Sequence, residues 1–136
     1  MSRHRLLVSG GRGFIGRRLV MALRAAGLSP RVLTRGQPGL DEVQGDLANR
    51  DDWAALDLAC CGIETVFHCA GHAHAFGALG ADEEARHWQV NFEGSRVLAE
   101  AAGRAGVTSF VFLSSVKAVG EPGEGCVDED WPVPPD

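Results

Sequence analysis

The chain has 136 residues, 45% hydrophobic and 23% charged, the balance of one globular domain with a core rather than of a disordered segment. A net charge of −5 and a pI near 5.5 argue against a general nucleic-acid binder, because phosphate neutralisation needs a basic stripe, and no nucleic-acid partner is expected. No apolar run approaches the ~18–20 residues of a membrane span, and Met1–Leu7 is too short and polar for a signal peptide, so a cytoplasmic protein without a membrane partner is expected.

The chain alternates short apolar runs with longer amphipathic segments, the pattern of a parallel α/β sheet. Leu6–Val8 reads as a first strand that ends at Gly10-Gly11-Arg12-Gly13. Phe14–Ala26 reads as a helix with Ile15, Leu19, Val20 and Leu23 on its inward face, stopped by Gly27. Arg31–Thr34 is a second strand, Gly36–Gly39 a loop, Glu42–Gly45 a short third strand, and Asp51 to Ala59 a helix. Thr65–Cys69 is a buried strand, and Gly71–Gly80 a loop of small residues. Asp82–Ala105 reads as one long helix with Val90, Val97, Leu98, Ala101 and Ala105 inward; its interior Gly94 and Gly103 are costs that close packing would have to offset. Ser109–Ser114 is the next strand, and from Glu121 the prolines and acids leave only loop.

Gly10, Gly13 and Gly16 stand in the spacing G-x-x-G-x-x-G, directly after a strand and at the opening of a helix. A tight strand-to-helix turn needs residues without Cβ, and a pyrophosphate must come close to backbone N–H groups at the positive end of the helix. A glycine triplet alone is weak evidence; the flanking strand and helix make it a dinucleotide cradle rather than a simple turn. About 20 residues beyond such glycines, an NAD site offers an acid to the ribose 2′-OH. This chain has Thr34-Arg35 there, with no acid before Asp41, and a second guanidinium, Arg12, inside the glycine loop. Two guanidinium groups suit the dianionic 2′-phosphate, so NADP is favoured over NAD.

Five blocks in order, Gly10-Gly11-Arg12-Gly13-Phe14-Ile15-Gly16, Gly45-Asp46-Leu47, Val66-Phe67-His68-Cys69-Ala70-Gly71, Val90-Asn91-Phe92-Glu93-Gly94 and Phe112-Leu113-Ser114-Ser115, resemble the extended short-chain dehydrogenases/reductases. Within these, they resemble the NAD-dependent epimerase/dehydratase family that acts on nucleotide-sugars. The resemblance implies a Rossmann-like, doubly wound parallel sheet of about five strands. It also implies roles: the glycine block and Ser114 in cofactor binding, Asp46 and Leu47 on the adenine, Cys69, Ala70 and Gly71 along the pyrophosphate and nicotinamide ribose, and Asn91 bonding backbone near the active-site strand. Taken alone, Asp46 reads as a turn or cap acid. Ser115 matches the catalytic Ser or Thr that holds the substrate oxygen while a proton moves; taken alone, a Ser at a strand end is a turn residue. Cys69 reads as a small apolar residue rather than a nucleophile.

The chain departs from the family at one decisive place. The family's acid/base group is the Tyr of Tyr-x-x-x-Lys, and this chain has no Tyr; Lys117 does not stand in that motif. Its end, Asp128 to Asp136, resembles the acidic, proline-rich approach to that Tyr. The expectation is therefore the NAD(P)-binding part, residues 1–136, of a longer nucleotide-sugar epimerase or reductase, without the Tyr/Lys pair or the substrate lobe, and inactive alone. The alternatives are a non-catalytic NAD(P)-binding sensor or scaffold, and a reductase of a non-sugar ketone or aldehyde. A nucleotide-diphosphate sugar is the expected substrate, and the helix 82–105, through Trp88, Val97 and Ala101, a possible homodimer face that a core stripe explains more simply. His68, His72, His74 and Cys69 match no common zinc spacing, and the four cysteines form no C-x-x-C pair, so no metal and reduced thiols are expected.

Overall fold

The computed structural model describes residues 5–49, 51–72, 80–115, 118 and 123–132. Five strands, β1 (Leu6–Ser9), β2 (Arg31–Thr34), β3 (Glu42–Gln44), β4 (Thr65–His68) and β5 (Ser109–Phe112), form one parallel sheet in the order β3-β2-β1-β4-β5. Helix α1 (Phe14–Ala25) links β1 to β2, and α2 (Trp53–Cys60) links β3 to β4 on the opposite face of the sheet. The connection from β4 to β5 carries α3 (Ala81–Trp88), a π-helical segment (Gln89–Gly94) and α4 (Ser95–Arg104). This is a Rossmann-like α/β fold, and its strand order reverses between β1 and β4.

Alternation along the strands divides the apolar residues between two layers. Leu7, Leu33 and Val66 meet Leu56, Ala59, Cys60, Leu98, Ala101 and Ala102 from α2 and α4 in the larger core. Val8 and Val32 point the other way and pack with Val20 of α1, flanked by Leu19, Leu23, Phe67 and Cys69. The strands are thus apolar on both faces, as a helix-covered parallel sheet requires.

Two inward faces differ from those expected. Ile15 is 56% exposed, because Gly16 and Val20 turn towards the sheet and leave Ile15 at the open mouth of α1. Ala105 is exposed and Ala102 buried, because α4 ends at Arg104 and the chain turns away through Gly106 at φ +77°. The expected single helix over 82–105 is interrupted by the π-helical segment, which brings buried Gly94 onto Leu47. A Cβ at Gly94 would lie 2.7 Å from the Leu47 carbonyl oxygen, whereas one at Gly103 would meet nothing within 4 Å. Close packing therefore offsets one of the two helical glycines and not the other. Ala101 is fully buried and Val97 packs on the core, so of the three residues of the expected dimer face only Trp88 is exposed, stacked on Phe92 at 4.5 Å. Most of the 71–80 loop, and Lys117, lie outside the described residues; residues 123–132 hold no helix or strand.

Candidate functional site

A cavity of about 460 Å3 opens at the C-terminal ends of β1, β2 and β4, where the strand order reverses. Ligands of open α/β sheets bind in this crevice. Its floor is the glycine loop. Gly10 has φ +69°, and a Cβ there would lie 2.5 Å from the backbone nitrogen of Ala70, so β1 and β4 approach too closely for any side chain. The Gly13 N–H donates to the Gly10 carbonyl at 2.9 Å, closing the turn that aims α1 at the cavity. No side chain caps α1, and no acid lies in its first turn, so its N–H groups remain available to an anion. A cradle that a single Cβ would fill, at an uncapped helix N-terminus, fits a pyrophosphate.

Gly10, Arg12, Gly13, Arg35, Asp46, Leu47, Cys69, Ala70 and Gly71 all line this cavity, from four separate stretches of chain. Gly11 is buried behind the loop, where a Cβ would meet Val32 Cγ1 at 2.5 Å, and Gly16 is buried in α1. Phe14 is 78% exposed, beneath the Arg18 guanidinium at 5.7 Å, and with Ile15 stands outside the lining. Ser114 and Ser115 follow β5 and are exposed, also outside the lining; the Ser115 carbonyl accepts the Ala118 N–H at 3.0 Å. Asp46 makes a turn through Oδ1, which accepts the Ala48 N–H at 2.9 Å, while its residue faces the cavity. Asp46 is thus a turn acid that also lines the cavity, where the resemblance implies an adenine contact.

Asn91 stands on the π-helical segment rather than in the lining. Its Oδ1 accepts the His72 N–H at 2.6 Å, and its Nδ2 donates to the His72 carbonyl at 3.0 Å, so it clamps the chain leaving β4. The lining also holds Leu33, Thr34, Gly36, Gly45, Ala48, His72, Arg86 and Val90, none of which the sequence marks as a site residue. Arg86 and Val90 are four apart on consecutive helical segments and share a face, a signal hidden by treating only the apolar residues of 82–105.

Arg12 has a carboxylate partner that the sequence reading did not supply. Its Nη2 approaches Glu42 Oε2 at 2.5 Å and its Nε approaches Oε1 at 3.2 Å; Nη2 also donates to the Gln37 carbonyl at 3.0 Å. Glu42 lies beyond Asp41 in sequence, but pairing of β3 on β2 (Val32 opposite Glu42) folds it back beside the glycine loop. The Arg12 hydrogen bond, followed by the Gly39 N–H, holds the Glu42 carboxyl below the usual carboxylate range. Among the described residues, no hydrogen bond or ion pair engages the Arg35 guanidinium.

Beneath the cavity, fully buried His68 joins three elements. The Ala70 N–H donates to Ser9 Oγ (3.2 Å), which is 2.5 Å from His68 Nδ1; His68 Nε2 is 2.7 Å from Ser95 Oγ, which donates to the Asn91 carbonyl (2.7 Å). With the Ser95 proton committed to Asn91, its oxygen accepts from Nε2–H, leaving Nδ1 to accept the Ser9 proton. The Ser9 bond, in which Nδ1 accepts, requires a neutral imidazole. Burial pushes the His68 pKa down to about 4. Burial also raises the Cys69 thiol, and raises Cys60 to about 11 with Asp57 adding to it, so neither is an activated thiolate. All four cysteines are free. Among the described residues, no three His, Cys, Asp or Glu side chains gather as a metal site, and no helix is long and apolar enough to cross a membrane.

Comparison with known proteins gives the family of the chain. A family model described as the NAD dependent epimerase/dehydratase family matches residues 6–136, and the chain belongs to that family. It is 36% identical over 138 residues to a 3-beta-hydroxysteroid dehydrogenase of Mycolicibacterium neoaurum, covering 96% of this chain and 37% of the relative. It is 35% identical over 143 residues to a UDP-glucose 4-epimerase of Neisseria meningitidis, covering 94% of this chain and 41% of the relative. A solved short-chain dehydrogenase/reductase superfamily protein of Agrobacterium tumefaciens with bound NAD superposes with a TM-score of 0.77 at 35% identity, covering 98% of this chain and 40% of that one. The chain thus spans about two-fifths of the length of the curated relatives it matches.

Proposed function

We propose that this chain is the dinucleotide-binding part of an NAD(P)-dependent epimerase or reductase that acts at a carbon, C4 in the leading case, of a nucleotide-diphosphate sugar. The observation that carries the reading is the crevice, where the left-handed Gly10 turn, an uncapped α1 and two arginines meet at the switch point of the sheet. Gly10 and Gly13 would hold the pyrophosphate, Asp46 and Leu47 the adenine, and Cys69, Ala70 and Gly71 the nicotinamide ribose. Arg12 and Arg35 favour the 2′-phosphate of NADP, and Glu42 opposes it. A bound nicotinamide supplies the hydride donor and acceptor. Ser115, at the end of β5, would hold the substrate oxygen while a proton moves, and Asn91 keeps the chain after β4 in place through His72.

The acid/base Tyr/Lys pair and the substrate lobe belong, in this reading, to sequence outside the 136 residues; the chain has no Tyr, and its relatives are more than twice as long. The chain alone would turn nothing over. The exposed Trp88–Phe92 pair supports a homodimer face on this helix, and four free thiols are in keeping with the cytoplasm. A mildly acidic protein has no call on nucleic acid. One observation favours a second reading, reduction or oxidation of a non-sugar alcohol: the 36% identity to a steroid dehydrogenase.

Reading the gene past Asp136 and assaying its product separates these readings. The expected result is a Tyr-x-x-x-Lys within a few dozen residues and interconversion of UDP-glucose with its C4 epimer, or reduction of the 4-keto sugar. Turnover of 3β-hydroxysteroids alone would establish the second reading. Cofactor binding with no such motif and no turnover would establish a non-catalytic sensor.

A further inference from the structure

We infer that Glu42 is a cofactor-discriminating residue: by holding the Arg12 guanidinium it withholds one of two cations from the 2′-phosphate of NADP, and so keeps NAD competitive. The inference rests on the dinucleotide reading above and concerns only which dinucleotide the crevice prefers.

The geometry separates the two members of the pair. Arg12 lines the cavity together with Thr34, Arg35 and Gly36 at the end of β2, where the adenosine ribose of a dinucleotide would lie; Glu42 stands behind Arg12, outside the lining. The Arg12 side chain is 57% exposed and that of Glu42 only 16%. Glu42 Oε2 also accepts the Gly39 N–H at 2.6 Å, so the carboxylate is fixed to the turn between β2 and β3 independently of Arg12. Asp41, at φ +62°, supplies the left-handed step that brings the chain into β3 at that point. The guanidinium is drawn across this turn, with Nη2 on Gln37 O at 3.0 Å and Nη1 3.4 Å from where a Cβ at Gly36 would stand.

The charge balance follows. Arg12 and Arg35 present two positive charges to the ribose edge, and Glu42 returns one negative charge to the same place. A 2′-phosphate dianion meets the sum of the three, whereas the uncharged 2′-OH of NAD is nearly indifferent to it. Neutralising Glu42 without changing its shape should leave the turn intact, because a Gln carbonyl still accepts from Gly39, and should free Arg12 to make a bidentate contact with the phosphate.

The test is a set of fluorescence titrations of the 136-residue chain with NADPH and with NADH, on wild type, Glu42→Gln, Arg12→Ala and the double variant, with unfolding temperatures recorded alongside. Glu42→Gln is expected to tighten NADPH about tenfold relative to NADH, the effect of one unit charge on a dianion about 6 Å away in a water-like dielectric. The double variant should lose that gain. Arg12→Ala alone, which leaves the Glu42 carboxylate unpaired beside the ribose, should weaken NADPH about tenfold relative to NADH by the same charge sum, and adding Glu42→Gln should restore it. An unchanged ratio in Glu42→Gln, or no recovery of the ratio on adding Glu42→Gln to Arg12→Ala, overturns the inference and leaves the dinucleotide reading standing. Failure of the folded wild-type chain to bind either dinucleotide overturns that reading, and this inference with it. The step from Arg12→Ala to the double variant reads the Glu42 charge separately and keeps the inference decidable should Glu42→Gln alone prove unstable.

Discussion

His68 carries a pH dependence that follows from its partners. The Ser9 hydroxyl bond needs a neutral ring, and burial holds its pKa near 4, below the 6.5 of a solvated histidine. Below pH 6.5 the unfolded chain takes up a proton that the folded chain refuses. The stability conferred is therefore complete above pH 6.5 and lost as pH falls towards 4, amounting to about 2 kcal/mol by pH 5. Urea unfolding at pH 7.5 and pH 5 checks this: His68→Gln should be less stable at pH 7.5 and should lose this part of the slope. Sequence inspection places His68 on a buried strand, Thr65–Cys69, but does not give its partners. Ser9 is 59 positions away and Ser95 is 27, and only the pairing of β1 with β4 and the packing of α4 bring them to the ring. Glu42 escaped notice for a similar reason, since its closeness to Arg12 comes from β3 lying on β2.

At the scale of elements, the five strands and the helix after the glycine loop announce themselves through β-branched runs and the 3.6-residue period, with boundaries moved by one or two residues. The π-helical segment does not. One extra residue in a turn changes the phase without changing the composition, and the segment 82–105 reads as continuous helix. Its two glycines then behave oppositely. Gly94→Ala forces a Cβ to within 2.7 Å of the Leu47 carbonyl oxygen and should cost about 1–3 kcal/mol. Because Leu47 lines the cavity, that change should weaken dinucleotide binding as well. Gly103→Ala, with open space around it in α4, should gain about 0.5–1 kcal/mol and leave binding untouched. Thermal or urea unfolding of the two variants, with a binding titration of each, reads both effects.

For the molecule as a whole, the order β3-β2-β1-β4-β5 converts a linear run of motifs into one crevice. The reversal between β1 and β4 leaves a gap above their ends, and the glycine loop, Arg35, Asp46 with Leu47, and Cys69 to Gly71 fill its rim from four directions. Motif spacing was enough to name these residues, because each block sits immediately after a strand. It was not enough to separate the backbone cradle from the residues that merely build it: Gly11 and Gly16 pack inward, Phe14 and Ile15 face out, and Asn91 works through His72. Arg86 reaches the cavity from α3, through tertiary placement that no local spacing encodes.

The central claim, that this crevice is the dinucleotide site, is tested most directly by titrating the isotopically labelled chain with NAD(P)H and following backbone amide resonances. The account predicts saturable shifts concentrated at Gly10 and Gly13, Thr34 to Gly36, Asp46 to Ala48 and Cys69 to His72. Saturable shifts centred elsewhere, or none at millimolar dinucleotide in the folded chain, would contradict it.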